Sequence, residues 1–452
     1  MTFAGRVAGV LGTRLAQLLS TLVVSFLLAR ILGPDGRGVY AVVVLVPTTL
    51  FAFSQLGLGS ALTFHAGRDG SVRDLERHGV ILGGVISCLF VGATLVALPV
   101  LEQNVLRTAP DDLLRIALAA LPLRVVATFA GNILYGRHRF RAYNLILAIQ
   151  SVLGVVLVIL LVGLLGLGVP GAVAAYLLFV AFGTVAVLVE LDRHRRSSER
   201  DMAASASGVA GTVAPGRVSV RDLAAFGLRL YPSTVATFLG YRADVFLLGW
   251  LLGSASEIGI YAVAVSLAEL VFNVPDSVGT VLFPRIASVT RDEADRLAPV
   301  MSRMTTLVTA GAGLALVPVA WIALTILLPA FVPGMVPLVL ILPGIVSLSI
   351  AKVLTSYLAG IEQLGAVTWA AVAALVANVV ANLVLIPRWG IDGAAAASLF
   401  SYTLYACLMV VAASRASRVP ALAFVLPHRE DATRLLAAAS RLGSLRLRRH
   451  GA

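Results

Sequence analysis

Twelve long apolar stretches, separated by short polar or Gly/Pro-containing breaks, dominate the pattern of hydrophobic and polar residues along the chain. Each is close to the 20 or so residues that an α-helix needs to cross the hydrocarbon layer of a membrane. The pattern predicts spanning helices over residues 6–31, 37–64, 78–101, 113–136, 140–165, 170–191, 222–251, 258–284, 300–328, 335–359, 363–386 and 390–414. We therefore expect an all-α, polytopic membrane protein with twelve transmembrane helices.

The composition agrees with this pattern. Of the residues, 59% are hydrophobic and only 13% are charged, whereas a soluble domain is roughly 45 to 50% apolar. The two cysteines, Cys88 and Cys407, fall inside predicted spans; we expect them to be packing residues and predict no disulfide framework. The first apolar stretch has spanning length and lacks a cleavage pattern, so we interpret it as the first membrane helix.

The distribution of positive charge predicts the topology. A net charge of +12 would suggest nucleic acid as the partner of a soluble protein, but Lys and Arg here follow the predicted loops. With a cytoplasmic N-terminus, 25 of the 35 Lys and Arg residues lie on the cytoplasmic side, five on the outer side and five within spans. This bias predicts a multi-pass protein of the cell (inner) membrane with both termini cytoplasmic and no nucleic-acid partner.

The chain contains an internal repeat. The stretch LARILGPDGRGVYA at residues 28–41 recurs in altered form as LGWLLGSASEIGIYA at 248–262. The pairs at nearly one offset, 220 to 224, are Gly33 with Gly253, Tyr40 with Tyr261, Gly136 with Gly360, Gly168 with Gly390 and Gly171 with Gly393. Glycines that recur at helix ends by chance would explain single matches but not a shared offset. Six helices per copy make the repeat parallel, which predicts two pseudo-symmetric six-helix bundles around a central cavity.

The repeat divides the chain into four predicted parts. They are an N-terminal six-helix bundle (1–192), a cytoplasmic linker (193–221), a C-terminal six-helix bundle (222–415) and a basic cytoplasmic tail (416–452). The linker is predicted from its basic start and its Ala/Ser/Gly-rich middle. In the tail, residues 432–449 interleave leucine with arginine, a pattern typical of either an amphipathic helix on the anionic inner surface or a disordered basic segment.

Several classes of catalytic site are missing from the sequence. Lys352 is the single lysine and lies in SIAKVL, so the chain has no GxxxxGK[ST] phosphate loop. None of the six histidines is paired at metal-ligand spacing, and GxSxG is absent. We therefore predict that the chain is not an enzyme and that it holds neither a metal ion nor another cofactor.

Polar and ionisable groups within the predicted spans are the candidate functional residues. A charged side chain that faces hydrocarbon costs about 2.5 to 3.5 kcal/mol on insertion scales, so such groups face an interior cavity by default. Arg14 and Gln17 share one face of the first helix, and Glu269, Asn273 and Asp276 share one face of the eighth, at offsets of 0, 4 and 7. The sequence predicts that both faces line a substrate cavity.

Three further candidates are Arg242, Asp244 and Lys352. Arg242 and Asp244 are two residues apart, about 200° around a helix, and cannot share one face. A structural ion pair and a binding site are therefore both open interpretations of this pair. Lys352, like Arg14, lies near a cytoplasmic helix end, where a long cationic side chain either lines a cavity or snorkels to the inner surface.

The candidates differ between the two copies of the repeat. Arg14 corresponds to Thr234 in the second copy, and Glu269 corresponds to Thr48 in the first. Unlike charges on a duplicated frame suit a substrate with a negative head and a hydroxyl-rich body, since Arg binds phosphate well and carboxylates accept hydrogen bonds from sugar hydroxyls. Binding of a coupling ion or proton at Glu269 or Asp276 is an equally physical use.

The sequence resembles a family of membrane transporters. The resemblance rests on the first helix leading into LARILGPDGRGVYA, on GLGSAL, on YRADVFLLGWLLGSASEIGIYAVAVSLAEL and on VLFPRIA, and it extends from about residue 6 to 414. These stretches are similar to the polysaccharide-transporter branch of the superfamily that also holds the multidrug and toxic-compound extrusion transporters and the lipid II flippases. Twelve predicted helices depart from the fourteen usual for lipid II flippases.

The resemblance implies a flippase for lipid-linked oligosaccharides. Members of this branch resemble proteins that move an undecaprenyl-pyrophosphate-linked glycan between leaflets by alternating access. The resemblance supports Arg14 as a cavity cation and Asp244 and Glu269 as recurrent polar positions. Expected partners are the lipid-linked glycan and membrane lipids, with a coupling ion or proton and glycan polymerases or glycosyltransferases as further candidates. The alternatives are an ion-coupled multidrug-type exporter, a lipid II flippase and an embedded glycan polymerase or ligase.

Overall fold

The structure is a computed structural model that describes residues 3–56, 58–67, 72–104, 106–137, 139–206, 220–426, 428 and 431. Within these segments it describes only the backbone of residues 3–15, 60, 61, 64, 65, 67, 72–78, 102–104, 140, 198–206, 220–230, 280, 281, 284 and 287. The side chain of Arg14 and the predicted amphipathic segment 432–449 therefore lie outside the described residues.

Twelve α-helices make up most of the described chain. They are α1 (Phe3–Ser54), α2 (Leu58–Gly67), α3 (Val72–Asn104), α4 (Asp111–Leu118), α5 (Ala120–Gly136), α6 (Phe140–Val158), α7 (Gly168–Ala206), α8 (Val220–Leu251), α9 (Ala255–Ser288), α10 (Arg291–Ile322), α11 (Met335–Gly360) and α12 (Leu364–Ser417). Short π-helical turns follow α6 and α10, and 3-10 turns precede α11 and follow α12. No β-strand occurs among the described residues.

Nine helical segments of the described chain are long and apolar enough to cross a membrane. Two of these contain more than one span. The α12 segment, with 54 residues, would be about 81 Å long as a straight helix, far more than the roughly 30 Å of hydrocarbon. It is broken at Gly390 (φ 54°), and a Cβ on Gly393 would lie 2.3 Å from the Leu385 carbonyl oxygen, so the chain folds back there. In α1 the corresponding break is at Gly33 (φ 66°).

With these two breaks, every predicted span lies on helical segments of the structure, and α8 supplies the span predicted at 222–251. The span predicted at 37–64 is interrupted between α1 and α2, and the span predicted at 113–136 runs over α4 and α5. The prediction of an all-α, polytopic membrane protein with twelve spanning helices is confirmed. The agreement has a simple cause, because hydrocarbon thickness fixes the length of the apolar stretches and the lack of water forces their backbone into helices.

Two of the glycine pairs that mark the repeat have the same backbone conformation in both copies. Gly33 and Gly253 have φ values of 66° and 63°, and Gly168 and Gly390 have values of 58° and 54°. Only glycine adopts this left-handed region without strain. The repeated glycines are therefore turn positions between consecutive spans, as the sequence pattern indicated.

A further pair of repeated glycines lets two helices touch backbone to backbone. A Cβ on Gly38 would lie 1.7 Å from the Ala255 carbonyl oxygen, and a Cβ on Gly259 would lie 2.0 Å from the Pro34 carbonyl oxygen. Residues 34 and 38 correspond to 255 and 259 at an offset of 221. The crossing of α1 and α9 therefore has the two-fold pseudo-symmetry of the repeat itself.

By its internal contacts the chain divides into two compact units, residues Met1–Val263 and Ala264–Ala452. In the first, Phe129 and Leu134 of α5 pack with Leu62 of α2 and Leu191 of α7 in a buried apolar cluster. The predicted boundaries at 192, 221 and 415 stay predictions. Helix α7 continues to Ala206, into the predicted linker, and residues 207–219 lie outside the described set.

The second unit anchors the chain that follows α12. The Arg303 side chain donates to both carboxylate oxygens of Asp431, at 2.7 and 3.2 Å, and to the Ala423 carbonyl oxygen at 2.6 Å. Ser302 donates to the Phe424 carbonyl oxygen at 2.9 Å. The hydrogen bonds from Arg303 hold the pKa of Asp431 at about 2, below its ordinary value. The segment after α12 is thus fixed to α10 by a buried, bidentate ion pair.

The expectation that the two cysteines are packing residues is wrong. Cys88 and Cys407 are both free and both exposed on helix surfaces rather than packed inside. Cysteine behaves as a small hydrophobic residue, so it suits a surface covered by lipid as well as it suits a core. Hydrophobicity along the sequence does not distinguish these two environments.

Candidate functional site

A group of charged side chains in the second unit lies between α9 and α11. The Lys352 ammonium on α11 donates to the Asp276 carboxylate on α9 and lies 3.7 Å from the centre of the Phe272 ring. Glu269, two turns before Asp276 on α9, also attracts this ammonium. We call Glu269, Phe272, Asn273, Asp276 and Lys352 the α9–α11 charge cluster.

The cluster is only partly shielded. The side chain of Lys352 is 20% exposed, and that of Asp276 is 47% exposed. The ammonium is thus held between a carboxylate and an aromatic face, which stabilises a cation out of water, while the carboxylate keeps an open side. An arrangement of this kind can exchange one partner of the cation for an incoming anion.

The side-chain amide of Asn273 binds the backbone of its own helix. Its amide nitrogen donates to the backbone carbonyl oxygens of Glu269 and Leu270, at 3.0 and 3.4 Å. Its carbonyl oxygen is the group that remains to accept a hydrogen bond from a ligand. Of the three residues that the sequence placed on one face of this helix, Asp276 and Glu269 interact with Lys352.

In the first unit, the structure places Asp244 in the interior. Its side chain is 3% exposed and accepts hydrogen bonds from the Tyr261 hydroxyl and, at 2.8 Å, from the Val245 backbone N–H. Tyr261 is fully buried. Asp244 therefore ties α8 to α9. Arg242, on the same helix, is half-buried and has polar or electrostatic interactions of its own.

Gln17 lines a cavity of about 210 Å³ in the first unit. The cavity lies among both parts of α1, α6 and α7, and its wall consists of Gln17, Ser20, Thr21, Val24, Tyr40, Ser151, Gly154, Val158, Ala172, Ala175, Tyr176 and Phe179. Apart from Gln17, none of these was predicted to bind substrate. Helical periodicity was the available signal, since it places Thr21 one turn after Gln17 on the same face of the first helix.

Arg37, at the start of the span predicted at 37–64, is buried beside this cavity wall. Its side chain is 8% exposed, and its guanidinium lies 5.7 Å from the centre of the Tyr40 ring. Arg37 therefore supports the tyrosine that lines the cavity. No group of three or more potential metal ligands occurs among the described residues.

A model of the family described as "Polysaccharide biosynthesis protein" matches residues 7–290, more than half of the chain. The chain belongs to this family. The matched region includes Arg14, Gln17 and the α9 part of the charge cluster, whereas Lys352 lies beyond it. No match was found among curated proteins.

Solved structures agree on the fold of this family member. The lipid II flippase MurJ in an inward closed conformation is 12% identical, with a TM-score of 0.67, and the match covers 93% of this chain and 88% of that one. An inward-facing multidrug resistance MATE family transporter of the MOP superfamily is 16% identical, with a TM-score of 0.63, and the match covers 89% of this chain and 94% of that one. An outward-facing structure of a multidrug resistance MATE family transporter of the MOP superfamily is 15% identical, with a TM-score of 0.61, and the match covers 90% of this chain and 95% of that one. The chain therefore shares the overall fold of these solved structures.

Proposed function

We propose that this protein is a flippase that moves a lipid-linked oligosaccharide or polysaccharide precursor across the cytoplasmic (inner) membrane by alternating access. Membership of the polysaccharide biosynthesis family supports the glycan as cargo. The fold shared with MurJ and with inward- and outward-facing MATE transporters supports movement through the membrane rather than chemistry on the substrate. The positive-charge bias of the loops supports cytoplasmic termini.

The observation that carries the proposal is the α9–α11 charge cluster. It places the chain's single lysine within a spanning helix, next to a partly exposed carboxylate and an aromatic face. A cation within a membrane-spanning helix costs free energy, and ionisable residues at such positions usually have a functional role. A pyrophosphate group offers Lys352 more negative charge than Asp276 does, so the lysine exchanges partners when the substrate head group arrives.

The remaining candidates have separate proposed roles. Arg14 and Arg242 are the proposed phosphate-binding cations of the first unit, and Gln17 is a proposed contact for sugar hydroxyls. In the second unit, Glu269 and Asn273 offer acceptor oxygens to sugar hydroxyls. Asp276, released when Lys352 turns to the substrate, is a proposed site for a coupling proton or ion. Asp244 has a proposed structural role, because its hydrogen bond with Tyr261 holds α8 against α9.

The test is a cell in which the gene is deleted and then complemented. Deletion should cause a lipid-linked glycan to accumulate in the inner leaflet, and the wild-type gene should restore its export. Lys352→Ala should abolish export at normal protein levels, and Lys352→Arg should retain part of it. Arg115→Ala is a matched control, because Arg115 forms an exposed ion pair with Asp111 on α4. Full export by Lys352→Ala would contradict the assignment.

A second candidate function is an ion-coupled exporter of amphipathic cations. The carboxylates of Glu269 and Asp276 favour it, because a cationic substrate could replace Lys352 at these groups. Expression in a drug-sensitive host separates the two functions, since an exporter of this kind raises drug resistance and a glycan flippase leaves it unchanged. Glycosyltransferases and glycan polymerases of the same pathway are the proposed protein partners.

A further inference from the structure

We propose that the cavity of the first unit is a subsite for a single uncharged sugar ring of the transported lipid-linked glycan. This inference rests on the proposed flippase function and adds a place where the glycan is recognised. It starts from the cavity of about 210 Å³ among α1, α6 and α7, whose wall contains no residue of the α9–α11 charge cluster.

The chemistry of the wall fits a sugar. Hydroxyl groups come from Ser20, Thr21 and Tyr40, and an amide comes from Gln17. The rings of Tyr40, Tyr176 and Phe179 add apolar faces against which the C–H groups of a sugar pack. None of the described residues that line the cavity carries a formal charge. A hydroxyl-rich, neutral ring matches this wall, whereas a bare phosphate or a cation has no counter-charge on it.

Small residues keep the cavity open. Gly154 on α6 and Ala172 and Ala175 on α7 form part of its wall. A Cβ on Gly154 would lie 3.1 Å from the edge of the Phe179 ring, so any side chain at residue 154 would push that ring. The volume therefore depends on residues that contribute almost no side chain of their own.

The second copy of the repeat has other residues at the positions that form this cavity. At an offset of 220, Val24 of the cavity wall corresponds to Asp244, which accepts a hydrogen bond from Tyr261, the counterpart of Tyr40. Valine cannot accept such a bond. The first copy thus replaces an internal carboxylate–tyrosine contact with open space beside Tyr40.

The same contrast holds for α7 and α12. At an offset of 222, Tyr176 and Phe179 correspond to Ser398 and Ser401, and the Asn378 amide donates to the Ser401 hydroxyl at 3.0 Å. In the first copy, the Tyr176 hydroxyl is buried and has no hydrogen-bond partner among the described residues. A buried polar group of this kind normally has a partner, and a sugar hydroxyl bound in the cavity would supply one.

The register of α1 relates the subsite to the lipid end of the substrate. Gln17 lies one helical turn after Arg14, the proposed phosphate-binding cation on the same helix face. A pyrophosphate held by Arg14 would place the first sugar, which is bonded to that pyrophosphate, nearest to Gln17. The sugar that this cavity takes is therefore the one at the lipid end of the glycan.

The experiment measures binding to the full chain in nanodiscs with two probes. One is a short-chain polyprenyl pyrophosphate that bears one neutral hexose, and the other is the same lipid without sugar. We expect the wild type to bind the sugar-bearing lipid more tightly. Gln17→Leu and Tyr176→Phe should weaken binding of that probe by about three- to tenfold and leave the affinity for the sugar-free probe unchanged.

A control variant and separate outcomes distinguish failure of the subsite from failure of the proposed function. Gly154→Leu should abolish the preference for sugar, whereas Gly92→Leu should not, because Gly92 is an exposed helix position with nothing within 4 Å of a Cβ. Gln17→Leu and Tyr176→Phe keep the test valid if Gly154→Leu does not fold. Equal affinity of the wild type for both lipids, or an unchanged preference in both of these variants, would overturn the subsite alone. Binding of neither lipid would overturn the proposed function and the subsite with it.

Discussion

Gly38 and Gly259 occupy the same position in the two copies of the repeat, and each lies against the backbone of the helix that carries the other. The carbonyl oxygens that they approach, of Ala255 and Pro34, are also related by the repeat. Small residues allow this kind of close helix crossing in membrane proteins. The duplicated sequence has therefore produced a duplicated contact.

This contact predicts that both glycines are required for stability. Gly38→Ala or Gly259→Ala puts a methyl carbon about 2 Å or less from a backbone oxygen, which rigid helices relieve only by moving apart. We expect a loss of more than about 2 kcal/mol, measured as a lower thermal unfolding temperature in detergent. Gly92→Ala, at an exposed helix position, should unfold at the wild-type temperature or slightly above it. An unchanged unfolding temperature for Gly38→Ala would show that the crossing is looser than the structure has it.

Tyr40 and Tyr261 occupy matching positions in the two copies of the repeat, and we predict that their replacement by Phe has unequal effects on stability. Tyr261 donates to the buried Asp244 carboxylate, whereas Tyr40 has Val24 at the corresponding position. Tyr261→Phe removes a donor from a buried charge, so we expect it to lower the free energy of unfolding by about 1 to 3 kcal/mol. Tyr40→Phe should cost less. Equal effects on thermal unfolding would mean that Asp244 does not depend on Tyr261.

In the α9–α11 charge cluster, we predict that substitutions of Asp276 and Lys352 have non-additive effects on stability. Asp276→Asn leaves the Lys352 ammonium with Phe272 and Glu269 but without its ion-pair partner. We expect this single variant to be less stable than the double variant Asp276→Asn, Lys352→Met, because a cation without its partner is costly away from water. Unfolding temperatures of the single and double variants measure the coupling. Strictly additive effects would show that the two side chains do not depend on each other.

The ion pair between Arg303 and Asp431 predicts a response to acid. The pKa of Asp431 is about 2 in the folded protein, against an ordinary value of 3.8. A lowered pKa means that the pair contributes fully to stability above pH 3.8 and loses its contribution as the pH falls through about 2. Hydrogen exchange in residues 421–426, corrected for its intrinsic pH dependence, should therefore rise only over this acidic range.

Asp431→Asn is the matched variant for this experiment. Asparagine keeps the size of the side chain but cannot form the charged, bidentate contact with Arg303. We expect faster exchange in residues 421–426 at neutral pH and little further change on acidification. A wild-type protein whose exchange already rises near pH 5 would instead point to a group other than Asp431.

Most of the fold could be predicted from the sequence, because membrane thickness and backbone hydrogen bonding constrain apolar stretches directly. The turns at Gly33 and Gly390 were predictable for a related reason, since only glycine takes their backbone conformation without strain. The faces of α1 and α9 could also be predicted from helical periodicity. Gln17 does line a cavity, and Asp276 does lie beside Glu269 on one face.

The pairing of these groups could not be predicted in the same way. Lys352 and Asp276 are 76 residues apart, and their contact depends on how α9 and α11 pack, which periodicity does not specify. The burial of Asp244 against Tyr261 has the same origin. The aromatic wall of the cavity, with Tyr176 and Phe179, consists of residues whose types are ordinary in any membrane helix. Only their positions around a space among three helices indicate a binding role.

The most direct test of the proposed function is translocation in proteoliposomes that contain only this protein. A labelled, short-chain lipid-linked oligosaccharide is placed in one leaflet, and its arrival in the other is followed by chemical reduction of the accessible label. We predict protein-dependent translocation that is lost in Lys352→Ala and retained in Arg115→Ala. Translocation that is absent for the wild type under an imposed proton or sodium gradient, or that is undiminished in Lys352→Ala, would contradict the central claim.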